Sequence, residues 1–225
     1  MENIDKELIR YIEDNIIPQY SAFDKGHNID HVQKVIKDSL YYCNKINDKT
    51  INNEYQSDLP VRTDLVYVIA AYHDLGLSSG REEHHIKSGE ILEKDVTLRR
   101  WFSAEEIQTM KEAVEDHRAS NKYAPRSIYG KIVAEADRDI SLETILYRTV
   151  AYSINKYPDY NFDQIFERTY SHILNKYGEN GYLKLWLNTP KNIAGLNDIR
   201  EMLKTPQKMR MHTELIYLTK FNRTK

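Results

Sequence analysis

The pair His73-Asp74 puts an imidazole beside a carboxylate at the end of the run Asp64-Leu65-Val66-Tyr67-Val68-Ile69-Ala70-Ala71-Tyr72. That run is apolar on every side, and a helix of this kind belongs in a protein interior. A charge buried there persists only when it is paired or bound to metal. Other residues of the same types accompany the pair. His31 lies in Gly-His-Asn-Ile-Asp-His, His85 in His-His-Ile-Lys-Ser-Gly, and Asp137 in Ala-Glu-Ala-Asp-Arg-Asp, while His117 follows a further helical stretch. Imidazole and carboxylate are ligands for divalent metal ions.

Helical spacing gives each candidate a direction, because side chains three or four apart share a face. His31 aligns with Val35. His73 lies under Ile69 and Asp74 under Ala70. His85 aligns with Gly89 and Leu92, and His117 continues the face of Ile107, Met110 and Val114. Asp137 has Val133 one turn before it and Ile140 after it. Five segments therefore aim a histidine or an aspartate inward. Two histidines and two carboxylates suit one transition-metal ion, with positions left open for water and substrate. His84 reads as solvent-facing, because His85 owns the more apolar face. Asp139 competes with Asp137 but in a worse helical phase. A single inward histidine is more often a hydrogen-bonded core residue, so the joint pattern carries this reading.

The elements that must position these residues are helical almost throughout. Ile4, Leu8, Tyr11, Ile12 and Ile16 trace one stripe, ended by Pro18. The spacing predicts helices over Asn28–Asn44, over the His-Asp segment, near Glu83–Val96, and from the capping-box pattern Ser103-Ala-Glu-Glu106 onward. Further helices are expected near Ser127–Ile140, Ser141–Lys156, Phe162–Tyr177, Gly181–Leu187, Ile193–Leu203 and Gln207–Phe221. Asn47 to Pro60 reads as a loop and Asn121 to Pro125 as a turn. No alternating strand pattern of useful length appears, so the fold class is all-α.

Composition bounds the rest. With 40% hydrophobic and 29% charged residues, the 225-residue chain reads as globular rather than disordered. A formal charge of −2 gives no basic surplus for nucleic acid. One cysteine, Cys43, excludes an internal disulfide and a multi-cysteine zinc site. The first residues are too acidic for a secretory leader, and no run reaches the roughly 18 apolar residues of a membrane helix. A cytoplasmic enzyme is expected. No Gly-x-Ser-x-Gly element or phosphate-binding Gly-rich loop occurs, which disfavours a serine hydrolase and a P-loop enzyme.

The order His31, His73-Asp74, Asp137 resembles the HD superfamily of metal-dependent phosphohydrolases. His-Asn-Ile-Asp-His-Val-Gln-Lys-Val is similar to that family's opening helix, in which the second histidine is the ligand. Ala-Ala-Tyr-His-Asp-Leu-Gly resembles its signature helix, and Ile-Val-Ala-Glu-Ala-Asp-Arg-Asp its closing ligand segment. The resemblance spans roughly residues 20–150, about one domain. It implies an HD-domain helical bundle with the ligands at its centre. The core is expected over residues 1–157, with a C-terminal helical extension over 158–225 packed on the same domain as a lid, a homodimer surface or a completion of the core.

Two more histidines extend the likeness. His85-Ile-Lys-Ser-Gly89 resembles the His-Pro-x-x-Gly element of the branch that hydrolyses cyclic dinucleotides, and His117 falls where that branch has another ligand. Ile86 replaces the proline, Leu77 replaces a lysine, and the Gly-Tyr-Pro tripeptide is absent, which argues against that substrate. Leu75-Gly76-Leu77-Ser78 lacks the acidic pair of the guanosine-tetraphosphate branch. The layout is closest to small stand-alone HD nucleotide phosphohydrolases.

The resemblance implies metal ligands at His31, His73, Asp74 and Asp137, with His85 and His117 on a second ion or on phosphate. One or two divalent ions (Mn, Fe, Co, Ni, Zn or Mg) are the expected cofactor. Asp74 is also the expected catalytic residue, orienting water or bridging two ions. Arg118, Lys122 and Arg138 are placed to neutralise phosphate oxygens. The partner expected is a small phosphorylated substrate, a nucleotide, with no membrane and no nucleic acid. A non-catalytic HD module and a di-iron HD-type oxygenase are the rival readings.

Overall fold

The structure, a computed structural model, describes residues 4–24, 26–51, 59–138 and 140–221. Residues 52–58 of the loop expected over 47–60, and Asp139, lie outside the described residues. Among the described residues every regular element is helical. In chain order these are α1 (Lys6–Asn15), α2 (Ile29–Asn47), α3 (Thr63–Tyr72), α4 (His84–Lys94), α5 (Ala104–Asp116), α6 (Ile128–Asp137), α7 (Leu142–Lys156), α8 (Phe162–Tyr177), α9 (Pro190–Leu203) and α10 (Pro206–Phe221), with 3₁₀ turns at Ile17–Ala22, Leu75–Ser79 and Val96–Arg100.

Short polar side chains start the helices, since the first N–H groups of a helix lack internal acceptors. Asp5 accepts from Glu7 N–H and Leu8 N–H ahead of α1, and Asn28 accepts from His31 N–H ahead of α2. Ser103 and Glu106 form the reciprocal capping box at α5. Ser127, Ser141 and Thr189 open α6, α7 and α9 in the same way.

The chain divides into two compact units, Met1–Arg138 with Trp186–Asn188, and Asp139–Leu185 with Thr189–Lys225. This division falls one helix earlier in the chain than the 157/158 boundary read from the sequence. In the first unit α3 is the axis. Every residue from Leu65 to Tyr72 is buried, and α3 packs against α2, α5, α6 and α4. Its apolar character on all sides is thus matched by neighbours on all sides. In the second unit α7 packs on α8 and α10, and α9 contacts all three. Ile145, Leu146, Val150, Ile165, Ile173, Ile199 and Met209 are buried there.

One expected helix is absent. Residues 181–187 are irregular, not helical. The Glu135 carboxylate of α6 is fully buried, and its Oε2 accepts from Trp186 N–H at 2.8 Å and Leu187 N–H at 3.4 Å. Those amides would serve helical bonds if the segment coiled. Asn188 follows at φ 50, a left-handed conformation that ends regular structure, and Thr189 then opens α9 with Pro190 at its start. No helix among the described residues is long and apolar enough to cross a membrane.

Candidate metal centre

The site forms where α3 stops. Tyr72 is its last helical residue, His73 keeps right-handed helical angles, and Asp74 sits at φ −113, ψ 4 before the 3₁₀ turn begins. That break turns two adjacent side chains toward one spot. His73 is fully buried and Asp74 is 3% exposed.

The Asp74 carboxylate stands between two pairs of imidazoles. Its Oδ2 lies 3.3 Å from His73 Nε2 and 3.6 Å from His31 Nε2. Its Oδ1 lies 3.4 Å from His84 Nε2 and 3.5 Å from His117 Nε2. Within each pair the nitrogens face each other, His73 to His31 at 3.3 Å and His84 to His117 at 3.2 Å. Asp137, partly exposed at the last turn of α6, brings Oδ1 to 3.2 Å from His31 Nε2 and 3.8 Å from His73 Nε2. Two groups of three donors close enough to hold an ion result, His31-His73-Asp74 and Asp74-His84-His117.

Three of the four rings are held alike. His73 Nδ1 donates to Ala70 O at 2.8 Å, His117 Nδ1 to Val114 O at 2.6 Å, and His84 Nδ1 to Arg81 O at 2.8 Å. A carbonyl only accepts, so each Nδ1 carries a proton, and each ring turns its Nε2 inward. That is how metal-ligating histidines are oriented. Without a further proton the Nε2 atoms of His84 and His117 are both acceptors, which cannot hydrogen-bond to each other at 3.2 Å. That pair needs a proton or a cation between its nitrogens, and the donor set of the centre, imidazole and carboxylate, fits a divalent transition ion.

The electrostatics agree. Burial disfavours charge on His31, but Asp137 and Asp74 outweigh it and carry its pKa up to about 9. His117, also buried, is raised by its contact with Asp74. Burial and then the charge of His117 push His84 down to about 4. Asp74 and Asp137 resist the upward push of burial and lie below the usual carboxylate range, Asp74 through His73 and His117, Asp137 through His31. The two carboxylates hold negative charge, and positive charge on the facing imidazoles compensates it.

The structure revises the reading of α4. His84, expected at the surface, is the histidine that meets Asp74 and His117. His85 is buried, but among the described residues it joins neither group of donors, and its Nδ1 has no hydrogen-bond partner. The reason is the seat of α4. Gly76 N–H donates to Ser88 Oγ at 2.8 Å, and a Cβ on Gly76 would collide with the His84 carbonyl and come within 2.6 Å of Ser88 N. Ser88, fully buried, is one turn from His84, so the helix face that docks on Gly76 is the face of His84. Gly89 instead meets Glu115 and Lys111 of α5. The cue to His84 was its spacing to a serine, which apolar patterning ignores.

The basic candidates are dispersed. Arg118 Nη1 donates to the Glu82 carbonyl, which ties the segment after α5 to the loop that enters α4. Lys122 is exposed. Arg138 is buried, and its Nη1 donates to the Ala134 carbonyl. The α5–α6 segment is pinned at its base. Asp116, buried beside His117, accepts from Arg126 N–H at 2.6 Å and Arg126 Nε at 3.0 Å. His27, next to His31, is bound to Asp24 at 2.9 Å. Tyr20 is a contributor that sequence patterning did not single out. It is fully buried against His73.

The family model of the HD domain matches residues 28–140, half of the chain, and that span holds Asp74 and the five residues gathered with it, His31, His73, His84, His117 and Asp137. The chain belongs to the HD domain family. Neither a curated protein nor a solved structure matches it.

Proposed function

We propose that this protein is a divalent-metal-dependent phosphohydrolase acting in the cytoplasm on a nucleotide or a related phosphate ester or anhydride. One observation carries the reading. Two pairs of inward imidazole nitrogens face each other across the two oxygens of one buried carboxylate. His31, His73, Asp74 and Asp137 would hold one ion, and Asp74, His84 and His117 a second. When bound, such ions supply Lewis acidity toward phosphate oxygens and make water nucleophilic near neutral pH.

The chain's own groups do the rest. Backbone carbonyls at Ala70, Arg81 and Val114 fix the orientation of three histidines, His73, His84 and His117, so these three rings need not turn when the centre fills. Asp74, with one oxygen toward each histidine pair, is placed to orient the attacking water between them. Arg118 and Lys122, on the segment that leaves His117, supply positive charge for the phosphate oxygens. His85 lines the same region as a packing neighbour of His84, their rings 5.6 Å apart. The carbonyl contact of Arg138 gives it a role at the end of α6 rather than on phosphate.

The test is elemental analysis of protein purified without chelator, followed by a panel of mono-, di- and triphosphates and cyclic dinucleotides with Mn²⁺ or Co²⁺. Wild type should release phosphate or pyrophosphate from at least one member. Asp74→Asn keeps the shape but removes the charge, and should lose both metal and turnover. Bound metal with no turnover on any member would favour the binding-module or oxygenase readings instead.

A further inference from the structure

The geometry points to Tyr20 as a positioning residue of the metal centre, acting through the main chain of Asp74. Tyr20 lies in the 3₁₀ turn Ile17–Ala22, ahead of the segment matched by the HD family. Its side chain is fully buried. The hydroxyl donates to the Ala71 carbonyl at 2.9 Å and accepts from the Asp74 N–H at 3.2 Å. Both groups sit at the end of α3, where the last carbonyls lack intrahelical donors. One hydroxyl thereby serves a carbonyl and an N–H on either side of His73. The Tyr20 ring also stacks against the His73 ring, centroids 6.3 Å apart and planes 29° apart, while Phe23 packs edge-on against Tyr20.

This arrangement constrains the residue that matters most. Asp74 must present one oxygen to His31 and His73 and the other to His84 and His117. The direction of its side chain follows from its backbone angles, and Asp74 sits at the break between a helix and a 3₁₀ turn. Tyr20 holds that break from outside the helix, so it governs how the carboxylate divides between the two histidine pairs. Groups that orient ligands in this way affect metal affinity though they never touch the ion.

The inference rests on the metallohydrolase reading above, and its test separates the two. Wild type and Tyr20→Phe are titrated with Co²⁺ against a chromophoric chelator, with the visible Co²⁺ spectrum recorded. Phenylalanine keeps the ring on His73 and removes only the hydroxyl. Affinity should fall roughly 10–100-fold, and the spectrum should change. Tyr72→Phe is the matched control. The Tyr72 hydroxyl, one residue before His73, bonds to Asp95 at 2.5 Å and not to Asp74, so its removal should lower Tm while Co²⁺ affinity stays at the wild-type value. Should Tyr20→Phe not fold, difluorotyrosine at position 20 retains the packing and weakens the hydroxyl as an acceptor, and a smaller affinity loss in the same direction is expected. Wild-type Co²⁺ affinity and spectrum in the Tyr20 variant, whatever its Tm, would overturn the positioning role alone. No Co²⁺ binding by wild type would overturn both readings.

Discussion

Gly76 and Ser88 lock α4 onto the turn that follows α3. The Gly76 amide donates to the Ser88 hydroxyl at 2.8 Å, and the missing side chain of Gly76 leaves room for the His84 carbonyl. The contact joins two segments of the same centre, the turn that carries Asp74 and the helix that begins with His84.

Gly76→Ala should therefore damage both stability and site. The added methyl meets backbone atoms, which cannot swing aside as a long side chain would. Forcing a group into a packed interior costs about 1–3 kcal/mol. Urea denaturation followed by circular dichroism should show that loss, and Co²⁺ affinity should fall with it as His84 is pushed away. An alanine variant with wild-type stability and metal binding would mean that α4 is seated differently.

His84 and His85 are distinguishable by paired alanine substitutions. His84→Ala removes a donor from the group around His117 and should reduce bound metal by up to one equivalent and activity by orders of magnitude. His85→Ala removes a buried ring that belongs to neither donor group, so metal content should stay near wild type while Tm drops. The reverse ranking, with His85→Ala as the metal-depleted variant, would restore the assignment that apolar patterning suggested.

Chelation should loosen the protein measurably. A ligand that binds only the folded chain at about 100 times its Kd adds about 2.7 kcal/mol. For a chain of this size that corresponds to a Tm difference of roughly 5–10 °C. Thermal scans with excess Mn²⁺ and with EDTA should differ by this amount in wild type and coincide in Asp74→Asn, which lacks the carboxylate shared by both donor groups. Identical scans for wild type in both buffers would remove metal from the account.

Glu135→Ala should release residues 186–187. Two amides lose a buried acceptor, and a hydrogen bond to a charged group is worth about 1.5–3 kcal/mol. Trp186 is one of two tryptophans, so its fluorescence in a Trp101→Phe background reports the change. A red-shifted emission is expected. An unshifted spectrum with unchanged stability would show that burial of Leu187 alone holds the segment.

Sequence alone determined what short-range chemistry can determine. Ser103 and Asn28 mark helix starts because a cap bonds to amides two or three residues away. The all-apolar stretch before His73 declared a buried helix, and the ordered His31, His73-Asp74 and Asp137 declared the family. Their inward faces followed from the helical repeat. What the tertiary structure decided is how each helix is rotated and docked. Neighbouring residues on a helix point about 100° apart, so the choice between His84 and His85 depends on the meeting of Ser88 with Gly76, twelve residues away. The irregular path of residues 181–187 depends on a carboxylate some fifty residues earlier, and the hold on Asp74 on a tyrosine fifty-four residues before it. No local pattern encodes these contacts, because each is set by the packing of distant segments and by polar groups that must find partners once buried.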